Sequence, residues 1–370
     1  MKIVVACGGT GGHAFPGLAV AEELVHRGHE VEVWSSGRDI EDSVMKSWHG
    51  PVFSTGARQL SFKNAFSLWR SISRCRKEMK RFKPDALLAM GSYSSLPPVL
   101  AARSCGVEVF MHEANTVPGK AVEFLSRFCK AVAISFDITA EHLPGVKTVK
   151  TGLPIRKDIA SGKRFGFIPA GAFVVFVTGG SQGAHAVNML MSESLSMLKR
   201  EFDKRGRGES LYVIHQTGFK DEGDIVGAYA RAALPSRVHA FEREMADAFA
   251  SADVVVARAG ASTCFELAAC GKGALFIPLP SAVRDHQHFN AETFVAAGAA
   301  DEGRQDRLSP RQVCRYLLGL HERPERRREM SDKMRSLATP DAAAKVAQMI
   351  EDGIVEESVL KRNEQKEVNQ

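Results

Sequence analysis

Gly8-Gly9-Thr10-Gly11-Gly12-His13 stands between the apolar run Lys2–Ala6 and an apolar-periodic stretch over 19–26. Glycines at a strand-to-helix junction allow a tight turn and close backbone approach. The helix start also offers free N–H groups and a positive dipole end to a phosphate. Gly9-x-Gly11-x-x-Ala14 even satisfies the dinucleotide fingerprint. A nicotinamide site, however, needs an acid near the end of the following strand, about 20 residues on. Trp34-Ser35-Ser36-Gly37 occupies that place and Asp39 comes too late. Two readings stay open for this loop: a phosphate contact, or a tight turn with no ligand.

Two further junctions have the same form. Gly179-Gly180-Ser181-Gln182-Gly183-Ala184 adds a hydroxyl able to donate to a phosphate oxygen and an amide suited to a sugar hydroxyl or a helix cap. Arg258-Ala259-Gly260-Ala261-Ser262-Thr263-Cys264-Phe265-Glu266 places Glu266 one turn into a helix. A carboxylate there either accepts two hydrogen bonds from a ribose diol or serves only the helix dipole. Pro278-Leu279-Pro280 and Arg284-Asp285-His286-Gln287 put dense polar groups after another strand, at the carboxyl edge where open α/β sheets bind ligands. No GxxxxGK[ST] occurs, which excludes a P-loop nucleotidase, and no D-x-D offers an acidic metal clamp. No required metal and no cofactor are expected.

These loops need parallel strands to position them. Lys2–Ala6, 30–34, 86–90 and 108–112 read as strands in the first half; Phe173–Thr178, Leu211–Gln216, 253–257 and 274–278 read as strands in the second. Strands alternating with helical patterns predict an α/β fold of two Rossmann-like domains with parallel sheets. With 370 residues the length suits two domains. The boundary is expected between residues 154 and 172, giving domains over 1–155 and 165–338. After Gly353 apolar periodicity fades, and 354–370 reads as a disordered tail.

The 49 basic and 43 acidic residues leave a net charge of +6. Residues 58–83 alone carry nine positive charges and one negative, Glu78. Phe62, Phe66, Trp69 and Ile72 fall at i, i+4, i+7 and i+10, one apolar stripe on a helix, beside Arg70, Arg74, Lys77 and Arg81. Such a surface binds anionic lipid headgroups, each basic residue adding about 1 kcal/mol. The alternative is a helix packing its aromatics on a sheet. We divide the stretch, with 62–72 facing a membrane and 75–82 packing in the core. No nucleic-acid fold motif accompanies the charge. Seven cysteines without a CxxC pair argue against a disulfide framework or a structural zinc site and fit a reducing cytosol. No apolar run approaches the 18 residues or so that span a bilayer.

Taken together, GGTGGHAFPGLAVAEEL, HEANTVPG, TGLPIRKDI, VTGGSQGAHAVN, HQTG, ADVVVARAGASTCFELAACGK and DHQHFNA occur in the order seen in the MurG family. The resemblance covers about residues 2–350. It implies the GT-B fold, with two Rossmann-like domains facing across a cleft and a final helix, about 340–353, returning to the first. The implied reaction is inverting transfer of GlcNAc from UDP-GlcNAc to the C4 hydroxyl of MurNAc in undecaprenyl-pyrophosphoryl-MurNAc-pentapeptide, lipid I becoming lipid II. The place implied is the cytoplasmic face of the bacterial cell membrane. UDP-GlcNAc, lipid I, an anionic membrane surface and other cell-wall synthesis or division proteins are the partners it implies.

By the same resemblance, Thr10, Gly11 and Gly12 lie at the sugar-nucleotide site with His13 beside the reacting centre. Asn115 contacts the donor sugar, Arg156 the nucleotide part and Ser181 the diphosphate. Ala261, Ser262, Thr263, Cys264, Phe265 and Glu266 surround the nucleoside, with Glu266 on the ribose. His286 and Gln287 lie on the GlcNAc and diphosphate side. Glu242 takes a uracil-contacting position where the family uses backbone atoms. His13 and Glu113 compete as catalytic base, and each could instead order its loop. The chain departs from the family at Gly152-Leu153-Pro154, at His112-Glu113-Ala114-Asn115 and at Gly91-Ser92-Tyr93-Ser94-Ser95-Leu96-Pro97, where a glycine-rich acceptor loop is usual. Another lipid-directed GT-B glycosyltransferase, such as a diacylglycerol glycosyltransferase, is the first rival. A silent sugar-nucleotide-binding module that needs a partner is the second, and an NAD oxidoreductase is the last.

Overall fold

The computed structural model of the chain describes residues 1–9, 11–37, 45–46, 48–57, 65–207 and 210–368, with backbone alone at 65 and 358–368. Thr10, Asp39, Arg58 and Phe62 lie outside the described residues. The chain divides into two units, 1–156 with 339–370, and 157–338.

In the first unit the order is β1 (Lys2–Ala6), α1 (Gly11–His26), β2 (Glu30–Ser35), β3 (Val52–Ser54), α2 (Ala65–Phe82), β4 (Ala86–Ala89), α3 (Leu96–Ser104), β5 (Glu108–Glu113), α4 (Lys120–Leu125), β6 (Ala131–Ile134) and β7 (Thr148–Lys150). The strands form one parallel sheet in the order β3-β2-β1-β4-β5-β6-β7. Val5 registers with Val33 of β2 and with Leu88 of β4. Side chains of successive strand residues go to opposite faces, and both faces are covered. Ile3 and Val5 join Leu18 and Leu24 of α1 in one core, whereas Val4 and Ala6 join Cys75, Met79 and Phe82 of α2 in the other. A strand covered on both sides is apolar on both faces, which is why the buried run IVVA after Lys2 is legible as a strand. At Gly17 α1 lies close on the sheet: a Cβ there would stand 2.3 Å from Cys7 Cβ.

The second unit runs β8 (Phe173–Thr178), α5 (His185–Lys204), β9 (Leu211–Gln216), α6 (Glu222–Arg231), β10 (Ser236–His239), α7 (Met245–Ser251), β11 (Val254–Ala257), α8 (Ala261–Cys270), β12 (Ala274–Phe276), α9 (His286–Ala296), β13 (Ala300–Glu302), α10 (Pro310–Glu322) and α11 (Pro324–Ser336). Its parallel sheet has the order β10-β9-β8-β11-β12-β13. That is the doubly wound 3-2-1-4-5-6 arrangement of Rossmann folds.

Two expectations change. The glycine turn was expected to extend through His13, but α1 begins at Gly11, so Gly12 and His13 sit in its first turn. Glycine is a poor helix former, so its presence hid the start. Residues 354–370 were expected to be disordered, but α12 (Ala342–Val368) continues as one helix through 354–368. Val346, Ala347 and Ile350 enter the α1-side core, and Ile354 packs against it. Lys130 Nζ reaches Glu357 at 2.9 Å. Charged Glu and Lys are good helix formers, so fading apolar periodicity did not mean loss of the helix.

Candidate functional site

In the first unit, loops leaving β1, β4 and β5 converge at the carboxyl edge of the sheet. His13, in the first turn of α1, places Nδ1 2.8 Å from the Met90 carbonyl oxygen after β4. A Cβ on Gly9 would stand 3.4 Å from His13 Cδ2 and 3.0 Å from Ser92 Oγ. One on Gly91 would stand 3.8 Å from His13 Cε1 and 3.4 Å from the His112 carbonyl oxygen. Ser94 Oγ donates to the Gly8 carbonyl at 2.5 Å and Ser95 Oγ donates to that of Gly91, which ties the second loop to the first. Burial pushes His13 below its ordinary range, and the hydrogen bond to Met90 offsets part of that.

His112 and Glu113 end β5 as buried residues. The His112 ring is pushed down to about 4 by burial, with the nearby His13 acting in the same direction. Its Nε2 lies 3.1 Å from the Gly152 carbonyl oxygen. Glu113 Oε1 accepts from Asn115 N at 2.8 Å and Asn115 Nδ2 at 3.1 Å, and Oε2 accepts from Gly119 N at 3.3 Å. Burial raises this carboxyl against those three N–H groups. The geometry at Glu113 is that of a group ordering the 113–119 loop and aiming the Asn115 amide. Arg156 stacks its guanidinium on the Phe15 ring of α1, 4.9 Å from the centroid.

In the second unit the loop after β8 turns through Gly180 at φ 82° and Gly183 at φ 72°. A Cβ on Gly183 would stand 2.1 Å from the Thr217 carbonyl oxygen, so this loop and the one after β9 touch backbone to backbone. Gln216 Nε2 donates to the Gly180 carbonyl at 2.8 Å. Ser181 is exposed on this loop, just ahead of α5. Glu242 is buried and grips Arg237 through two bonds, Nε at 2.9 Å and Nη2 at 3.0 Å. Burial pushes its carboxyl up, but the Arg237 fork and the Glu244 N–H outweigh this and hold it below the ordinary range. Its side chain is thus committed to the protein.

Helix α8 begins directly after β11, and its internal bonding starts with Cys264 N to the Gly260 carbonyl. The N–H groups of Ala261, Ser262 and Thr263 lie ahead of that ladder. Ser262 and Glu266, four residues apart, share one half-buried face with Thr263 beside it. The expectation that all of 261–266 lines a ligand needs correction for the side chains of Ala261, Cys264 and Phe265. All three are buried, and Phe265 packs edge-on against Phe294 at 6.0 Å. His286 and Gln287 open α9 after Arg284 and Asp285, two consecutive non-glycine residues at φ 55° and 52°. Gln287 Oε1 accepts from Leu279 N at 3.0 Å, and His286 Nδ1 lies 2.9 Å from the Val283 carbonyl oxygen.

Some contributors escaped the sequence reading. The Met90 carbonyl sets the His13 ring, and no side-chain pattern could announce a backbone oxygen. Buried Arg258 donates Nη1 to the Ile277 and Pro278 carbonyls, both at 2.9 Å, and Nη2 to Gln305 Oε1 at 2.7 Å. It fixes the strand end that leads to His286 and Gln287. Its signal, an arginine between apolar and small residues, was visible in VVVARAGAS.

Residues 3–134 match the model of the glycosyltransferase family 28 N-terminal domain, and residues 174–346 that of the family 28 C-terminal domain. The chain is 37% identical over 355 residues to the UDP-N-acetylglucosamine--N-acetylmuramyl-(pentapeptide) pyrophosphoryl-undecaprenol N-acetylglucosamine transferase of Geotalea uraniireducens, covering 93% of this chain and 96% of that one. It is 35% identical over 365 residues to the protein of the same description from Myxococcus xanthus, covering 96% and 94%. The crystal structure of Acinetobacter baumannii MurG superposes with a TM-score of 0.75 at 31% identity, over 95% of this chain and 99% of that one. With two parallel-sheet units of Rossmann order and this likeness along nearly its whole length, the chain has the GT-B fold and belongs to the MurG family of UDP-N-acetylglucosamine--N-acetylmuramyl-(pentapeptide) pyrophosphoryl-undecaprenol N-acetylglucosamine transferases.

Proposed function

We propose that the chain transfers GlcNAc from UDP-GlcNAc to the C4 hydroxyl of MurNAc in lipid I, yielding lipid II with inversion. Family membership over 93% of the chain supports the donor and acceptor. The observation that carries the chemistry is the His13–Met90 bond. A carbonyl oxygen only accepts, so His13 Nδ1 holds the proton and Nε2 keeps its lone pair. His13 Nε2 takes the proton of the acceptor hydroxyl as that oxygen bonds to the anomeric carbon. The bond from that carbon to the β-phosphate oxygen breaks, and UDP departs with the electron pair. Glu113 orders the loop that presents Asn115 to the donor sugar.

The second unit holds the nucleotide in this reading. Glu266 takes the ribose hydroxyls, and the N–H groups at the start of α8 lie beside the nucleoside. Ser181 and the 179–184 loop stabilise the departing diphosphate, together with Arg156. Gly11, Gly12 and Thr10 border the sugar, and His286 and Gln287 contribute from the α9 start. Glu242 acts through its backbone, because its carboxylate is held by Arg237.

We also infer that α2 rests on the cytoplasmic face of an anionic membrane. Phe66 and Trp69 are 71% and 64% exposed and stack on each other. A groove of about 350 Å³ beside them is lined by Trp69, Ile72, Arg76, Lys77 and Lys80. Among the described residues no helix is long and apolar enough to cross a membrane. Binding through apolar rings and cations at the surface accounts for both facts.

Transfer of labelled GlcNAc from UDP-GlcNAc to a lipid I analogue tests the activity, with Glu266→Ala alongside. A β1→4 product from wild type, lost in Glu266→Ala, is expected. Saturable UDP-GlcNAc binding without transfer would sink the acceptor assignment and favour a module that needs a partner.

A further inference from the structure

The polar cluster behind the 179–184 loop has no place in the scheme above. His185 is the first residue of α5, four positions after Ser181. Its Nδ1 lies 2.9 Å from Asp221 Oδ1, and Asp221 itself is buried. Asp221 is fixed from behind, where Oδ2 accepts from Asn188 Nδ2 at 2.8 Å. Asn188 Nδ2 also donates to the Thr217 carbonyl at 2.8 Å, and its Oδ1 meets His215 Nε2 at 3.1 Å. The His215 ring is anchored in turn by the Tyr229 hydroxyl at 2.8 Å. One exposed imidazole therefore stands at the end of a fully braced buried chain, with its side chain 62% exposed.

Two features need a reason. A residue that can become cationic sits at a helix N-terminus, where the dipole disfavours positive charge. The same ring is oriented by a buried carboxylate through Nδ1, while Nε2 has no protein partner among the described residues. A surface ion pair alone gives little stability and needs no such bracing. Both features fit a ring held between two anions, one supplied by the protein and one by a ligand at the adjoining loop.

We propose that His185 is a diphosphate-binding residue of the transferase, oriented by Asp221, and that it takes up a proton when the nucleotide binds. This rests on the placement of the UDP diphosphate at the 179–184 loop. With Nδ1–H given to Asp221, Nε2 of the neutral ring can only accept, so donation to a phosphate oxygen requires the imidazolium. Solvent supplies that proton, which stays on Nε2 between the carboxylate and the diphosphate. Asp221 in turn feels the charge of its neighbour Lys220 on the loop ahead of α6. On departure of UDP the imidazolium offsets charge that develops on the leaving oxygen.

Calorimetric titration with UDP and with uridine separates the two layers. Runs at pH 7 in two buffers of different ionisation enthalpy read the proton uptake. His185→Ala is expected to weaken UDP about five- to tenfold, leave uridine unchanged and remove a measurable fraction of proton uptake. His185→Arg, a permanent cation, is expected to recover UDP affinity without the uptake. Unchanged UDP affinity and uptake in His185→Ala would overturn the assignment of His185 alone. Failure of wild type to bind UDP or uridine would overturn the nucleotide reading, and this assignment with it.

Discussion

His13 Nδ1 lies 2.8 Å from the carbonyl oxygen of Met90, a residue 77 positions away, and this bond decides which ring nitrogen can act as a base. It fixes the proton on Nδ1 and leaves Nε2 of the neutral ring with its lone pair. Burial holds His13 below its ordinary range, so the neutral ring persists to lower pH than a free histidine. His13→Gln should lower kcat by about 10²–10⁴ and change KM for UDP-GlcNAc by less than about threefold. In wild type, kcat should be level near pH 7 and fall only at a pH lower than that at which a free histidine titrates. A kcat that kept its pH profile in His13→Gln would remove it as the base.

Buried neutral histidines also set the acid stability. His112 is pushed down to about 4 and His215 to about 3, in both cases chiefly by burial. In the unfolded chain each titrates near 6.5. Below about pH 6.5 the unfolded chain binds protons that the native chain refuses, so stability is intact above that value and is lost as pH falls toward 4 and 3. At pH 5 each histidine costs roughly 2 kcal/mol relative to pH 7. Glu113, raised by burial, acts in the opposite sense, because the native carboxyl takes its proton before the unfolded one does. Urea midpoints at pH 7 and pH 5 should show a net fall, and His112→Gln should make that fall shallower. Equal slopes in the two proteins would contradict the burial account.

The strands that a reader finds in this sequence are those covered on both faces, such as KIVVA and FVVFVT, where all positions but Lys2 and Thr178 are apolar. SRVH, ADE and TVK escaped notice because β10, β13 and β7 lie at sheet edges, are short and leave side chains half-exposed. AVAI of β6 is fully buried, but its small residues gave a weak run. The glycine loops were legible as junctions. Which groups meet across them was not, because the His13–Met90 and Gly183–Thr217 approaches each end on a backbone carbonyl far away in the chain. The inward direction of Cys264 and Phe265 was readable after all: with Ala261 and Ala268 they form an i, i+3, i+4, i+7 stripe.

The division of α2 into an outward and an inward part has a direct test. Cys75, Met79 and Phe82 are buried against the sheet, whereas Phe66 and Trp69 lie exposed and Ile72 is half-buried. Phe66→Ser with Trp69→Ser removes no core contact, so stability should change by less than about 0.5 kcal/mol per site. Pelleting with phosphatidylglycerol vesicles should nevertheless fall steeply, and wild-type binding should weaken as salt screens the cations. Full vesicle binding by the double variant would end the membrane assignment.

Ser92 stands in the loop after β4, where the resemblance implies glycine, and its backbone keeps a glycine-like conformation, φ 71°. With ψ at 160°, this is a region populated almost only by glycine, and a side chain there is strained by about 1–3 kcal/mol. Ser92 recovers only part of this, since its hydroxyl meets Ser94 N at 3.5 Å and Ser94 Oγ at 3.4 Å, both long for hydrogen bonds. Ser92→Gly should therefore raise stability by up to about 1 kcal/mol, and Ser92→Val should lower it by about 1–2 kcal/mol. The effect should reach catalysis too, because neighbouring Gly91 adjoins the His13 ring and Ser92 Oγ lies beside Gly9. A β-branched residue that pulls φ back toward negative values would displace Gly91 and with it the Met90 carbonyl that orients His13. Ser92→Val should then lose kcat while keeping its affinity for UDP, and Ser92→Gly should keep both. If Ser92→Val kept full kcat, the loop after β4 would have no part in holding His13.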